Sequence, residues 1–339
     1  MMLKTAAAKI AWGGRTASTV FGLVLVMALC SCGSGSQETK TPTNFTPSIA
    51  FMKEDSDGVW QTWVANKDLS DQVKLTSGSA DSGWAVWKPG GDKLAFESNH
   101  TDPDPTDSEA INDIFTMNPD GSGIVKLTHS DDVSDQPDWS PDGSQIAFGS
   151  DRRNGAFRRE IYVMDADGTN VRRMSTLPDK AEFDSFARFS PDGRRLVFTR
   201  TINEAIPIRA ALFTVHVDGG GLERLTPWGM GAGDADWSPD GTKIAFEASP
   251  DATSHGDIFT IDADGQQLTN LTDNMRSGGG SSDPVWSADG TKILFVSMHY
   301  FVGESGIGLA TMNPDGTDRH FVSSNHPEEM HQPDWETVP

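Results

Sequence analysis

One pattern, which recurs five times at intervals of 48 to 52 residues, constrains the fold of this chain most. Each copy has an aromatic residue, then a turn of the Ser-Pro-Asp-Gly type or a close variant, then a short apolar segment that ends in phenylalanine. The copies begin at Trp87, Trp139, Phe189, Trp237 and Trp286. A fixed repeat of this length is typical of architectures in which similar units pack side by side and bury their apolar faces against one another.

Each repeat divides into four short β-like segments. In the second copy the first segment ends at Trp139, and the next three start at Ile146, Glu160 and Val171. Pro-Asp-Gly joins the first two segments and Asp-Gly joins the last two, and both are tight-turn sequences between antiparallel strands. The repeat therefore predicts a four-stranded antiparallel blade, and the chain an all-β propeller.

The two ends of the repeat region complement each other. Residues Ser48 to Phe51 match the second strand of a repeat, while Pro333 to Trp335 match a first strand. We expect the C-terminal strand to join the N-terminal blade, which closes a ring of six and removes a free sheet edge. The predicted propeller spans residues 48–339.

The N-terminal segment indicates export. Residues 1–31 have a basic start and an apolar run of about ten residues, which is shorter than the roughly 20 that a membrane-spanning helix needs. The segment is predicted to be a lipoprotein signal peptide, because Leu29-Cys30-Ser31-Cys32 resembles a lipobox in which Cys32 is lipidated. A plain secretory signal is the alternative. Residues 32–47 then form a flexible tether. The lipobox resemblance implies delivery to the outer membrane, because Gly33 and not an aspartate follows the cysteine.

The charge and cysteine content exclude two classes of protein. The formal net charge is −22, and no basic stripe offsets it, so nucleic acid is not an expected partner. The two cysteines both lie in the N-terminal segment, which excludes a disulfide-stapled fold.

The repeat also resembles a known family. The sequence from Asp135 to Phe148, DQPDWSPDGSQIAF, is similar to the WD40-like repeat of the TolB-type propellers. The resemblance covers residues 48–335 and implies a six-bladed propeller, here without the TolB N-terminal domain. It implies little about function, since such repeats occur in proteins with different roles.

The propeller has two faces that differ in sequence. The turns between first and second strands and between third and fourth strands are nearly the same in every copy, and we call their side the turn face. The opposite side, the loop face, carries second-to-third loops of different length and chemistry. Binding groups usually lie on such loops. Aromatic residues there could stack on sugars or anchor a partner, or alternatively fold back over the blades: Phe157, Trp228, Tyr300 and Phe301.

A second set of candidates belongs to the first strand of each blade, which lines the channel. Three residues before the repeat aromatic stand Trp84, Gln136, Phe186, Asp234, Asp283 and Gln332. The polar members Gln136, Asp234, Asp283 and Gln332, joined by Asp135, could hold a cation or hydrogen-bond a ligand at the channel mouth. A water-filled channel with hydrated acids is the alternative.

These features predict a monomeric, lipid-anchored module of the cell envelope that binds a protein or a polysaccharide. No cofactor, resident metal or catalytic residue is predicted, because the sequence contains no GxSxG or HExxH motif. The competing hypothesis is a carbohydrate-active enzyme, a lyase or glycosidase, that uses the channel carboxylates.

Overall fold

The protein is described here by a computed structural model. It describes residues 48–99, 111–129, 132–152, 158–178, 183–202, 209–250, 256–273, 279–301, 304–322 and 330–335, without the side chains of 299–301 and 304–307. All of these residues belong to one compact unit, Thr41–Pro339. Within them the chain forms six four-stranded antiparallel sheets, which confirms the predicted all-β, six-bladed propeller.

Each sheet is one blade, and its strands follow one another outward from the channel. Blade 1 contains β24 (Met330–Trp335), β1 (Ile49–Glu54), β2 (Trp60–Ala65) and β3 (Val73–Lys74), and blade 2 contains β4 (Ser82–Trp87), β5 (Leu94–Ser98), β6 (Asp113–Met117) and β7 (Val125–Lys126). Blade 3 contains β8 (Ser134–Trp139), β9 (Gln145–Ser150), β10 (Glu160–Asp165) and β11 (Arg172–Arg173), and blade 4 contains β12 (Phe183–Phe189), β13 (Arg195–Ile202), β14 (Arg209–His216) and β15 (Glu223–Arg224). Blade 5 contains β16 (Gly233–Trp237), β17 (Lys243–Ala248), β18 (Asp257–Asp262) and β19 (Thr269–Asn270), and blade 6 contains β20 (Gly280–Trp286), β21 (Ile293–Phe301), β22 (Glu304–Met312) and β23 (His320–Phe321). One turn of 3-10 helix, Trp228–Met230, lies between blades 4 and 5.

The repeated turn sequence folds the first hairpin of each blade. In blade 3 the Asp142 carboxylate accepts hydrogen bonds from the Ser140 hydroxyl at 2.6 Å and from the Ser144 backbone N–H at 3.0 Å. Gly143 follows at φ +66°, a conformation that glycine adopts without steric cost. The same side-chain bonds recur in blades 4, 5 and 6. Turn formation therefore accounts for the uniform turn face.

The hydrophobic core lies between blades. Phe148 and Ile146 of blade 3 pack in one cluster with Val86 and Ala95 of blade 2, while Ile161 on the other side of blade 3 packs against blade 4. Six such clusters fill the six blade interfaces. Each blade is consequently buried on both faces, which explains why the centres of its two middle strands are apolar, as in Ile146–Phe148 and Ile161–Met164 of blade 3.

The ring closes as the ends of the sequence predict. The last strand, β24, pairs antiparallel with β1, and Ile49 stands opposite Trp335. Met330 and Trp335 join the cluster that contains Phe51 of blade 1 and Leu294 of blade 6. The two ends of the repeat region therefore build one sheet together.

The innermost strand of every blade contains a β-bulge at the same position. The register shift places one residue per blade in the left-handed region, with φ between 44° and 55°. Non-glycine residues rarely adopt this conformation, and a bulge redirects the side chain it carries. The six bulge residues are Trp84, Gln136, Phe186, Asp234, Asp283 and Gln332.

Candidate functional site at the channel mouth

The bulge brings all six predicted channel residues to one ring. Their side chains line the same cavity, in the order Gln332, Trp84, Gln136, Phe186, Asp234 and Asp283 from blade 1 to blade 6. The inner strands run from the loop face to the turn face, so the bulge ring forms the channel mouth on the loop face. The free volume among these side chains is about 30 Å³, which suits a group no larger than one or two water molecules.

One side of the mouth is aromatic. The rings of Trp84 and Phe186 lie 5.9 Å apart, centroid to centroid, across the blade that carries Gln136. Both residues hold a strained positive φ, a feature that concentrates at binding and active sites.

The backbone of the ring is held by side chains of the preceding blade. The N–H of Trp84 donates to Gln332 Oε1 at 3.2 Å, and that of Phe186 donates to Gln136 Oε1 at 3.0 Å. The N–H of Gln136 donates to Glu97 Oε2 at 2.8 Å. These bonds fix the bulge and connect each blade to the next.

The other side of the mouth is acidic. Asp234 and Asp283 come from neighbouring blades, and Glu247 of β17 lies beside them. Burial raises the pKa of Asp234 and Glu247 well above the ordinary range, and the neighbouring carboxylates raise both further. Burial also raises the pKa of Asp283, where the charge of His331 opposes part of the rise. These carboxyl groups bind protons more tightly than exposed acids do.

A second layer of charges lies beneath the mouth. Arg188 forms an ion pair with Asp138 at 3.1 Å. The carboxylates of Asp138, Asp236 and Asp334 accept backbone N–H groups of the next blades at 2.8, 2.8 and 2.7 Å. Burial raises the pKa of Asp236 to about 6 and that of Asp334 to about 7, although the Arg188 charge opposes the rise.

Asp135 lies outside this lining. It is buried, and its carboxylate forms an ion pair with Arg159 at 2.6 Å. Burial and the charge of Asp135 raise the pKa of the adjacent Glu97 to about 8.

Of the predicted loop-face aromatics, the structure describes the side chain of Trp228, which does not line the channel mouth. Trp228 is half-buried in the 3-10 helix, its ring 5.5 Å from that of Phe213, and the Arg224 guanidinium lies 5.6 Å from the Trp228 ring. Phe157 lies outside the described residues, and only the backbone of Tyr300 and Phe301 is described. A partner-binding role for these aromatics stays a prediction.

Two further features bear on the site. Among the described residues, no three histidine, cysteine or acidic side chains are arranged to hold a metal ion. The same part of the chain contains no helix of the length and apolar character that crossing a bilayer requires. Cys32, residues 1–31 and the tether 32–47 lie outside the described residues.

Comparison with known proteins agrees with the geometry. Residues 87–208 match the family model of the TolB beta propeller domain. The crystal structure of TolB from Acinetobacter baumannii superimposes with a TM-score of 0.65, at 23% identity, over 88% of this chain and 68% of that chain. The chain is a TolB-like six-bladed β-propeller.

Other relatives of the TolB-like propeller are more distant or cover less. An uncharacterized protein from Agrobacterium fabrum is 29% identical over 182 residues, and the match spans 51% of this chain and 57% of that protein. Oligogalacturonate lyase from Vibrio parahaemolyticus shares the fold at a TM-score of 0.54 and 14% identity, over 81% of this chain and 72% of that chain. These similarities support the fold and do not identify an activity.

Sequence reasoning selected the six positions that line the channel of the TolB-like propeller, but it did not predict their β-bulge and missed the groups around them. Arg188 stands one residue before the repeat aromatic, where three other blades have aspartate. Glu97 and Glu247 each follow the phenylalanine that closes a repeat. Both positions stand out when the repeats are aligned, and this alignment is the signal that would have identified them.

Proposed function

We propose that this TolB-like propeller is a lipid-anchored binding module of the cell envelope, which recruits a protein or an envelope polymer through its loop face and channel mouth. One observation carries the proposal. Six structurally equivalent positions converge on one opening, yet they carry four different side-chain types. Folding accounts for the uniform turns of the other face, but it does not require this variety at the mouth.

The size of the cavity bears on how a polymer would bind. The space enclosed among the lining side chains is about 30 Å³, which is smaller than a sugar ring. A polymer would therefore contact the loops and the rim. Rigid frames that present variable loops are well suited to such recognition.

The competing function, a carbohydrate-active enzyme, has one observation in its favour. Asp234 and Asp283 come from adjacent blades, and the pKa of each is raised, as the general acid of a glycosidase requires. The double change Asp234→Asn and Asp283→Asn separates the two hypotheses. An enzyme would lose turnover on its polymer, whereas a binder would keep capturing a partner through the loop face.

The proposal is tested with a soluble form that begins at Gly33, used to capture proteins and polymers from envelope extract. Replacing Trp228, Tyr300 and Phe301 by alanine should abolish capture of the specific partner. The matched control replaces Ile124 and Leu222, two exposed residues that immediately precede outer strands, and should capture as the parent does. Unchanged capture by the triple variant, with folding verified by circular dichroism, contradicts the proposal.

The lipid anchor is tested separately in cells. Cys32→Ser should move the full chain from the membrane to the soluble fraction, and retention in the membrane contradicts the lipid anchor.

A further inference from the structure

Two glutamine side chains in the channel mouth are oriented by the backbone. Gln136 accepts the Phe186 N–H at its Oε1 atom, and Gln332 accepts the Trp84 N–H in the same way. A backbone N–H can only donate, so the oxygen of each amide is identified and the Nε2 group is the other end. Both glutamines line the cavity, and neither Nε2 has a hydrogen-bond partner among the described residues. Gln136 is only 8% exposed, so its N–H groups are buried donors without the acceptor that native proteins normally supply.

The opposite side of the same cavity presents acceptors. Asp283 of blade 6 lies across the ring from Gln136 of blade 3, and Asp234 of blade 5 lies across from Trp84 of blade 2. The Asp234 carboxyl group accepts no hydrogen bond from the described residues. That of Asp283 accepts the Ser282 hydroxyl at 3.1 Å and one backbone N–H, which leaves part of its acceptor capacity unused. An incoming group therefore meets N–H donors on one side and carboxyl oxygens on the other.

Hydrogen-bond complementarity selects the class of ligand. A cation would satisfy the carboxyl groups, but it would leave the Gln136 N–H groups without an acceptor. It would also meet the charge of Arg188, which lines the same cavity beneath the bulge ring. An anion would satisfy the amides, but the two aspartates would repel it. A hydroxyl group donates and accepts at the same time, so it satisfies both sides of the mouth.

The aromatic side of the mouth adds an apolar surface beside these polar groups. Trp84 and Phe186 are half-buried, and their rings lie 5.9 Å apart, centroid to centroid. The C–H groups of a sugar ring form an apolar face that can pack on such rings, while its hydroxyl groups point outward from the edge. A serine or threonine side chain has a hydroxyl but no comparable face. Because the enclosed space is smaller than a sugar ring, the ring would lie on the aromatic rim and a hydroxyl would enter.

We propose that the channel mouth binds an uncharged sugar residue of an envelope polymer, with the sugar ring on Trp84 and Phe186. A hydroxyl group of the sugar enters the cavity, where its oxygen accepts the Gln136 Nε2–H and its hydrogen is donated to Asp234 or Asp283. The inference rests on the proposed binding function and names the class of polymer that is recognised at its centre.

The amide donors are tested by adding methyl glycosides of glucose, galactose, mannose and N-acetylglucosamine to the soluble form, with saturation-transfer NMR and isothermal titration as the measurements. At least one glycoside should bind, and Gln136→Glu should weaken its binding at least about tenfold. The glutamate keeps an oxygen that can accept the Phe186 N–H but has no N–H to donate. The matched control Gln266→Glu makes the same change at an exposed position of the turn face and should leave the affinity unchanged. Equal affinity of Gln136→Glu and the parent overturns the proposal.

The aromatic surface is tested by a pair of substitutions at one position. Trp84→Ala removes the ring and should weaken binding of the same glycoside severalfold. Trp84→Phe should retain most of the affinity, because a phenylalanine already adopts the same positive φ at the equivalent position of blade 4, Phe186. The unfolding temperature of each variant verifies that the propeller is intact. Affinity that does not change in Trp84→Ala would place the sugar elsewhere and overturn the proposal.

A ligand series separates the uncharged sugar from the alternatives. The methyl glycosides of galacturonic acid and glucosamine, one anionic and one cationic, should bind at least about tenfold more weakly than the neutral glycosides. At least one monodeoxy analogue should lose about tenfold in affinity, because a site that hydrogen-bonds a hydroxyl rejects the analogue that lacks it. Tighter binding of a charged glycoside or of N-acetyl-serine methylamide overturns the proposal. Binding by none of the four neutral glycosides also overturns it, since water would then be the occupant of the mouth.

These outcomes are separable from those of the proposed function. Capture of a partner by the parent, together with no binding of the glycosides, overturns this inference alone. The loop-face variant of Trp228, Tyr300 and Phe301 tests recruitment separately, and its unchanged capture contradicts the proposed function whatever the glycosides show.

Discussion

At the scale of single residues, the blades make contact through glycines of the turn face. Gly168 and Gly219 occupy the same turn in blades 3 and 4, with φ of +86° and +87°. A Cβ on Gly168 would lie 2.8 Å from the backbone oxygen of Leu127 in blade 2, whereas a Cβ on Gly219 would meet nothing within 4 Å. The same turn therefore serves as an interface contact in one blade and only as a turn in the other.

This difference predicts unequal effects of one substitution. Gly219→Ala should cost about 1 kcal/mol of unfolding free energy, because alanine is strained at positive φ. Gly168→Ala should cost about 1–3 kcal/mol more, because the backbone of blade 2 must also move. Urea unfolding of the two variants measures the difference. Equal losses of unfolding free energy would show that the backbone at Leu127 moves without an energetic cost and would contradict the prediction.

At the scale of strands, β24 is the element on which the ring depends. It completes blade 1 and supplies Met330 and Trp335 to a core cluster. Deleting residues 330–339 should expose the edge of β1, and the shortened chain should self-associate or unfold at a lower temperature. Adding a peptide of residues 328–339 should restore the monomer. Size-exclusion chromatography with light scattering measures the oligomeric state of both samples. A shortened chain that is monomeric and unfolds at the same temperature as the parent would contradict the prediction.

At the scale of the whole molecule, the acids fall into two groups with opposite pH dependence. The turn aspartates Asp142 and Asp289 have pKa values lowered to about 2 by hydrogen bonds, so the stability that they contribute is lost as pH falls below about 4. Glu97, Asp236 and Asp334 have pKa values raised to about 8, 6 and 7, chiefly by burial, so the folded state binds protons that the unfolded state releases. Their contribution to stability falls as pH rises from about 4 to 8.

Stability should therefore be highest near pH 4 to 5. We expect the unfolding temperature to fall by roughly 5–10 °C between pH 5 and pH 8.5, as scanning calorimetry would show. Asp334→Asn should flatten this decline, because the amide oxygen can still accept the Trp87 N–H but does not ionise. The exposed Asp92→Asn should leave the profile unchanged. An unfolding temperature that is constant or rises between these pH values would falsify the interpretation.

Sequence reasoning predicted the six blades, their closure and the positions that line the channel, because each follows from comparing the repeats along the chain. It did not reach the surroundings of the ring. A bulge breaks the two-residue alternation of a strand, so Gln136 points into the channel while its neighbour Asp135 turns to Arg159. Arg188 meets Asp138 of another blade only after the ring has formed. Contacts between repeats depend on the assembled geometry, which a single repeat does not contain.

The closing sheet also sets the direction in which the polypeptide leaves the ring. Ile49 begins β1 opposite Trp335, at the end of the sheet where β24 finishes, and that end belongs to the turn face. The polypeptide therefore enters β1 at the end of the channel opposite the ring of bulge residues, so a ligand at the channel mouth and the chain at Ser48 occupy different faces of the propeller.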